Sequence, residues 1–167
     1  MTFWQAVFTC FEKYFDFEGR AERREFWFWF LFTWAGSIAT GIMDAAIYDT
    51  SIEEVGLFGA LFLIATFCPN LAVMVRRFHD INRSGWWILW FILIYIGVVV
   101  VMFGIGGLVG GSAGGFFFFL GGLGAVGVFI WWVVWMATKG TAGHNHFGAP
   151  PIAATPENPE PPTNPFA

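Results

Sequence analysis

Residues 85–138 read GWWILWFILIYIGVVVVMFGIGGLVGGSAGGFFFFLGGLGAVGVFIWWVVWMAT and contain no charged side chain. As one α-helix these 54 residues would extend about 81 Å, whereas the hydrocarbon core of a bilayer is about 30 Å thick. The segment must therefore turn back once. Seven glycines in residues 104–115 predict the reversal near Gly110–Gly115, with spans at Trp86–Val109 and Phe116–Ala137.

Two more uncharged runs lie upstream, at Phe26–Met43 and Val55–Val75. Each approaches the roughly 20 residues that a membrane-spanning helix needs, and a charge at mid-bilayer would cost about 3 kcal/mol or more. The chain is 57% hydrophobic and only 12% charged, against about 25% charged residues in soluble domains. We predict an all-α membrane protein built as a four-helix transmembrane bundle.

The two ends of the chain differ from these spans. Residues 3–15 repeat apolar and aromatic side chains at three- and four-residue steps, which predicts an N-terminal amphipathic helix. It either lies along the membrane interface or packs on the inner end of the bundle. Seven of the eight prolines follow residue 149. We therefore divide the chain into a four-span domain, residues 1–149, and a disordered, Pro-rich cytoplasmic tail, residues 150–167.

The basic residues predict the orientation. All eight lysines and arginines flank the spans on one side, whereas the first loop on the other side carries Asp44, Asp49, Glu53 and Glu54. Because short cytoplasmic loops retain positive charge, both termini are expected in the cytoplasm, in a multi-pass protein of a bacterial inner membrane.

Three polar segments meet at that cytoplasmic side: DFEGRAERREFW (16–27), RRFHDINRSGWW (76–87) and KGTAGHNHFGAPP (139–151). We expect Gly19 to end the first helix, and Ser84 to cap the third span. Acidic residues of the first segment should pair with its arginines, and His79 with Asp80. If the second span continues past the membrane, Arg76, His79, Asp80 and Arg83 would share one helix face.

These three segments resemble, in order and in membrane position, a bacterial inner-membrane family of unknown function (domain of unknown function 805) typified by YhaH and YhaI. The resemblance runs from about Phe3 to Pro151. It implies a four-span inner-membrane protein with cytoplasmic ends, and it implies no established activity.

We expect a binding or scaffolding role, because arginine grips phosphate bidentately and an arginine-rich face suits an anionic lipid headgroup or another phosphate-bearing ligand. The candidate ligand-binding residues are Arg20, Arg23, Arg24, Arg76, Arg77 and Arg83. A polar cytoplasmic cluster is expected from Asp16, Glu25, His79, Asp80 and Asn145.

Two alternatives stay open. A membrane-embedded metal-dependent hydrolase would use His79 and Asp80, and a small transporter or channel would use the backbone around Pro69 and Asn70. We expect no catalytic residue, metal, cofactor or nucleic-acid partner. Glycines four residues apart, at Gly106 and Gly110 and at Gly107 and Gly111, allow a homo-oligomer, although close packing of the third and fourth spans explains them better.

Overall fold

The computed structural model describes residues 1–48 and 56–151, and the regular structure in these ranges is helical. Four of the five helices are long and apolar enough to cross a membrane, which confirms the predicted four-span architecture. The predicted acidic loop at Asp49, Glu53 and Glu54, the first residue of the Val55–Val75 run, and tail residues 152–167 lie outside the described ranges. The helices are α1 (Phe3–Glu12), α2 (Arg23–Tyr48), α3 (Leu57–Asp80), α4 (Trp87–Val109) and α5 (Gly111–Ala137).

The reversal between α4 and α5 is shorter than the glycine-rich sequence predicts. It occupies Gly110 and Gly111, whose φ angles of +66° and +59° favour glycine. Residues 112–115, expected in the turn, instead continue the first turns of α5. Two residues with positive φ are enough to reverse the chain, so α5 begins five residues earlier than predicted.

Glycine also sets the approach of α4 to α5. A Cβ atom added to Gly114 would lie 2.5 Å from the carbonyl oxygen of Gly106, so this contact requires glycine. By contrast, nothing lies within 4 Å of a Cβ built on Gly107, Gly110 or Gly111. The close packing of the third and fourth spans is as expected, but it joins Gly106 to Gly114 across the two helices.

The α2–α3 hairpin is held by polar contacts between its two helices. Asp44 of α2 accepts hydrogen bonds from the backbone N–H groups of Phe58 (3.0 Å) and Gly59 (2.8 Å), and so caps the start of α3. Farther along, the indole N–H of Trp29 donates to Oδ1 of Asn70 at 2.7 Å. Asn70, which the transporter alternative would use, thus binds a neighbouring helix.

Helix α1 packs on this hairpin. Ala6, Val7 and Cys10 are buried against it, while Trp4 and Phe8 remain exposed. Gly19 does not end α1, which stops at Glu12 with Lys13 as its C-cap, and Gly19 lies in the connection to α2 with a φ angle of +73°.

The connection between α1 and α2 is also attached to α3. The Tyr14 hydroxyl donates to the carbonyl oxygen of Ala65 at 3.0 Å. Pro69 has no N–H to give to that carbonyl, four residues before it, so Tyr14 satisfies an acceptor that the helix leaves free.

The two hairpins meet at one end, where α2 and α4 begin and α3 and α5 end. We call it the arginine-bearing end. Phe78 of α3 packs against Phe91 of α4 and Trp135 of α5, with ring centroids 6.2 and 6.1 Å away. Phe26 of α2 lies 5.9 Å from Trp132 of α5. The polar segments of the sequence surround this aromatic contact.

Candidate functional site

The arginine-bearing end contains a set of buried ion pairs, which we call the buried arginine layer. It consists of Arg20, Arg76 and Arg77 with the carboxylates of Glu25 and Asp80. The arginine side chains are 2%, 0% and 0% exposed, respectively. Charges this deeply buried require partners, so their contacts decide what they do.

Arg77 joins the end of α3 to the end of α5. Its Nη1 donates to Oδ2 of Asp80, its Nε donates to the Met136 carbonyl at 3.0 Å, and its Nη2 donates to the Thr138 carbonyl. The last carbonyls of a helix have no partner within the helix. Arg77 supplies that partner to α5 and places a positive charge where the helix dipole favours one.

Arg20 approaches the same carboxylate from the α1–α2 connection. Its Nε and Nη2 lie 3.0 and 2.9 Å from Oδ1 of Asp80. The remaining donors bind carbonyls that follow α5, from Nη2 to Thr141 at 2.6 Å and from Nη1 to Gly143 at 2.7 Å. Asp80 is therefore shared by two arginines, and each side-chain nitrogen of Arg20 has a partner within the protein.

Arg76 ties α3 to α2 and to the α1–α2 connection. Its Nη2 lies 2.9 Å from Oε1 of Glu25, and its Nη1 donates to the carbonyl of Asp16 at 2.5 Å. The buried Nε has no hydrogen-bond partner among the described residues. Cys10 is buried in the same region, and burial, with the charge of Glu25 as a second cause, raises the pKa of its thiol to about 12.

The segment after α5 folds over the end of α3. Asn145 donates through Nδ2 to the His79 carbonyl (2.9 Å) and to Oγ1 of Thr141 (2.7 Å). The Phe147 ring stacks on the His79 ring, 3.9 Å apart and nearly parallel. The His-Asn-His sequence is thus a turn whose asparagine and following phenylalanine hold it to α3.

Several sequence-based pairings are wrong. Asp80 binds Arg20 and Arg77 rather than His79, whose Nδ1 lies 3.1 Å from the Gly19 carbonyl. Glu25 binds Arg76 instead of an arginine of its own segment. Asp16 contributes its backbone carbonyl, while its carboxylate accepts from the N–H of Glu18.

The second polar segment also differs from expectation. Helix α3 ends at Asp80, so Arg83 does not continue its face, and instead lies over the Trp135 ring at 4.1 Å. Ser84 accepts weakly from the Trp86 N–H, at 3.4 Å, but α4 begins only at Trp87 with Trp86 as its N-cap.

Beside the buried arginine layer lies an open cavity of about 470 Å³. Arg23 and Arg24 from the first turn of α2 line it together with Lys139 after α5, and all three are exposed. Glu22 also lines the cavity, and its Oε1 is buried without a partner in the described part of the chain. We call this space, with its three exposed cations, the cation-lined cavity.

The six predicted arginines thus separate into three groups. Arg20, Arg76 and Arg77 bind within the protein, Arg83 lies on aromatic rings, and Arg23 and Arg24 line the cavity. Lys139 was missed as a ligand-binding candidate, although its position directly after the fourth span places it at the same end as the other basic residues.

Within residues 1–48 and 56–151, no three histidine, cysteine, aspartate or glutamate side chains form a group that could hold a metal ion. His79 and Asp80, the proposed hydrolase pair, are directed to different partners.

Comparison with known proteins gives one family and several relatives. Residues 14–149 match the model of the family described as "Protein of unknown function (DUF805)". The chain is 29% identical over 147 residues to the inner membrane protein YhaI of Escherichia coli (strain K12), covering 88% of this chain and 95% of YhaI. It is 32% identical over 91 residues to the inner membrane protein YhaH of the same strain, covering 54% of this chain and 75% of YhaH. No solved structure matches.

Proposed function

We propose that this chain, which belongs to the DUF805 family of proteins of unknown function, binds a phosphate-bearing ligand in the cation-lined cavity. The observation behind this proposal is that Arg23, Arg24 and Lys139 converge on one open space, whereas the neighbouring arginines are used up by internal contacts. The relatives are inner membrane proteins, and the four long apolar helices fit the same location.

The charge balance of the cavity favours an anion. Asp80, which also borders it, is neutralised by Arg20 and Arg77, so Glu22 is the one remaining carboxylate among the described lining residues to oppose the three exposed cations. A guanidinium group can donate two parallel hydrogen bonds to two oxygens of one phosphate, and a lysine ammonium adds a flexible further donor. An anionic lipid headgroup and a soluble phosphate ester both offer this chemistry.

We further propose that the arginine-bearing end faces the cytoplasm, with both termini on that side. The support is the distribution of basic residues, all of which flank this end. A cysteine introduced at His144, in a variant with Cys10 and Cys68 replaced by alanine, should resist a membrane-impermeant maleimide in intact cells and react after lysis. Reaction in intact cells would place this end outside the cytoplasm.

Native mass spectrometry tests the ligand. The protein would be released from nanodiscs of phosphatidylethanolamine and phosphatidylglycerol, as wild type and as the Arg24→Ala, Lys139→Ala double variant. We expect retained phospholipid, or another phosphate-bearing species, on the wild type and about tenfold less on the variant, because two charged contacts are lost. Arg76 and Arg77 are unsuitable targets, since their loss would disturb the fold.

A matched control removes the same charge elsewhere. Lys13→Ala with Arg83→Ala deletes one lysine and one arginine outside the cavity and should retain the species as the wild type does. Separate spectra of detergent-solubilised protein with added inorganic phosphate or glycerol 3-phosphate distinguish a soluble ligand from a lipid. Equal retention by the wild type and both double variants would refute the proposal.

A further inference from the structure

An apolar crevice of about 330 Å³ lies between α3, α4 and α5. Its walls include Leu71 and Met74 of α3, Ile92 and Tyr95 of α4, and Val128 of α5. All of these residues belong to helices long and apolar enough to cross the membrane. The crevice is therefore a lipid-facing space, different in chemistry from the cation-lined cavity.

A short series of contacts along α2 and α5 connects the walls of the two spaces. Trp132 lines the crevice and packs on Phe26, which follows Arg23 by less than one helical turn. The Arg23 guanidinium in turn donates to the carbonyl of Ala137 at 3.5 Å. Ala137 lies five residues after Trp132, or about 8 Å along the α5 axis. The cation-lined cavity and the crevice are thus linked along α5, on which the contacts to Arg23 and Phe26 lie about 8 Å apart.

We propose that the cavity and the crevice together hold one phospholipid, with the phosphate at Arg23, Arg24 and Lys139 and an acyl chain between α3, α4 and α5. This inference rests on the proposed function and names the ligand class. A phospholipid joins an anionic phosphate to an apolar chain, which are the two chemistries that the cavity and the crevice offer.

A transmembrane helix of a second copy of the chain would also cover the apolar walls of the crevice, but it would bring no phosphate to the cation-lined cavity. A soluble phosphate ester would fill the cavity and leave the crevice empty. An acyl chain is thin, flexible and apolar, and it suits walls that have almost no polar surface.

Photocrosslinking tests the position of the chain. The wild type would be reconstituted with phosphatidylglycerol that carries a diazirine in one acyl chain, then irradiated and digested. We expect crosslinks to peptides of α4 and α5 that contain Tyr95 and Val128, and loss of these crosslinks when unlabelled phosphatidylglycerol competes. Crosslinks spread evenly over all four spans, unaffected by competitor, would overturn the inference.

Filling the crevice gives a second test with a closely matched control. Ile92 lines it and is 48% exposed, whereas Ile96, one turn later on the same helix, does not line it and is 49% exposed. We expect Ile92→Trp to lower phospholipid retention in native mass spectra about tenfold and Ile96→Trp to leave it unchanged. Val128→Phe is the substitute if Ile92→Trp does not fold.

The outcomes separate the two proposals. Retention that falls in Arg24→Ala, Lys139→Ala but not in the crevice variants would overturn the lipid inference and keep the cation-lined cavity as a phosphate site. The same conclusion follows if the wild type retains glycerol 3-phosphate as strongly as it retains full-length lipid. Retention that is unchanged in all variants would overturn both.

Discussion

The chain carries two adjacent arginine pairs at the same end of the bundle, and they have opposite environments. Arg76 and Arg77, near the C-terminal end of α3, are buried and bind within the protein. Arg23 and Arg24, in the first turn of α2, are exposed beside a cavity. Identical dipeptides at the ends of spans therefore differ in role, and the tertiary surroundings decide which pair is structural.

Helix polarity sharpens this difference. A cation at the C-terminus of a helix is stabilised by the helix dipole, and one at the N-terminus is destabilised. Arg76 and Arg77 occupy the favourable end of α3, whereas Arg23 and Arg24 occupy the unfavourable end of α2. The exposed pair therefore contributes little to the stability of its own helix, which agrees with a binding role.

The largest effect should come from breaking the buried pair. Arg76→Ala leaves the Glu25 carboxylate buried without its cation, so we expect a loss of about 3–5 kcal/mol in the free energy of unfolding. Arg24→Ala should change it by less than about 0.5 kcal/mol. Unfolding by SDS in mixed micelles, followed by tryptophan fluorescence, measures both. Equal losses would show that burial does not distinguish the two pairs.

A smaller but more specific effect should follow when the positive charge of Arg77 is kept and the shape of its side chain is changed. Arg77 makes three directed contacts to Asp80, Met136 and Thr138, which a single ammonium group cannot reproduce. We expect Arg77→Lys to cost about 2 kcal/mol, since it gives up hydrogen bonds to a charged group and to helix-terminal carbonyls. Arg24→Lys is the control and should be neutral in the same SDS titration. A neutral Arg77→Lys would mean that charge alone holds α3 to α5.

Tyr14 shares with Arg76 the attachment of the α1–α2 connection to α3, but through a neutral contact. Tyr14→Phe should cost about 1 kcal/mol, because the Ala65 carbonyl loses its donor. Pro69→Ala restores a backbone N–H to that carbonyl, so Tyr14→Phe should cost less in the Pro69→Ala background. A double-mutant cycle measures this coupling. Additive effects would show that Tyr14 does not stabilise the protein through the Ala65 carbonyl that Pro69 leaves free.

Sequence reasoning succeeded where one local property was sufficient. Runs without charge located all four spans, and the glycines located the reversal at Gly110 and Gly111. It failed on the partners of Asp80 and Glu25, because Arg20 is 60 residues from Asp80 and Glu25 is 51 from Arg76. Those contacts depend on how hairpins pack, which charge patterning along the chain does not specify. For the same reason it grouped the buried and exposed arginines as one binding set.

The smallest expected effect concerns Cys10. Its rate of labelling by a maleimide, rather than the free energy of unfolding, reports on the packing beside the buried pair. With a pKa near 12, its thiol is almost wholly protonated at pH 8, and burial also blocks reagents. In a Cys68→Ala background we expect slow labelling by a maleimide in the folded protein. The labelling rate should still rise between pH 9 and pH 11. In SDS-unfolded protein, whose thiol has an ordinary pKa of 9.0, the rate should level off over that range.

Arg24→Ala should leave labelling unchanged, and Arg76→Ala should speed it, because Arg76 holds the connection that follows α1 against α3. Fast labelling of the folded parent at pH 8 would show that Cys10 is accessible, and the packing of α1 beside the buried arginine layer would then be wrong.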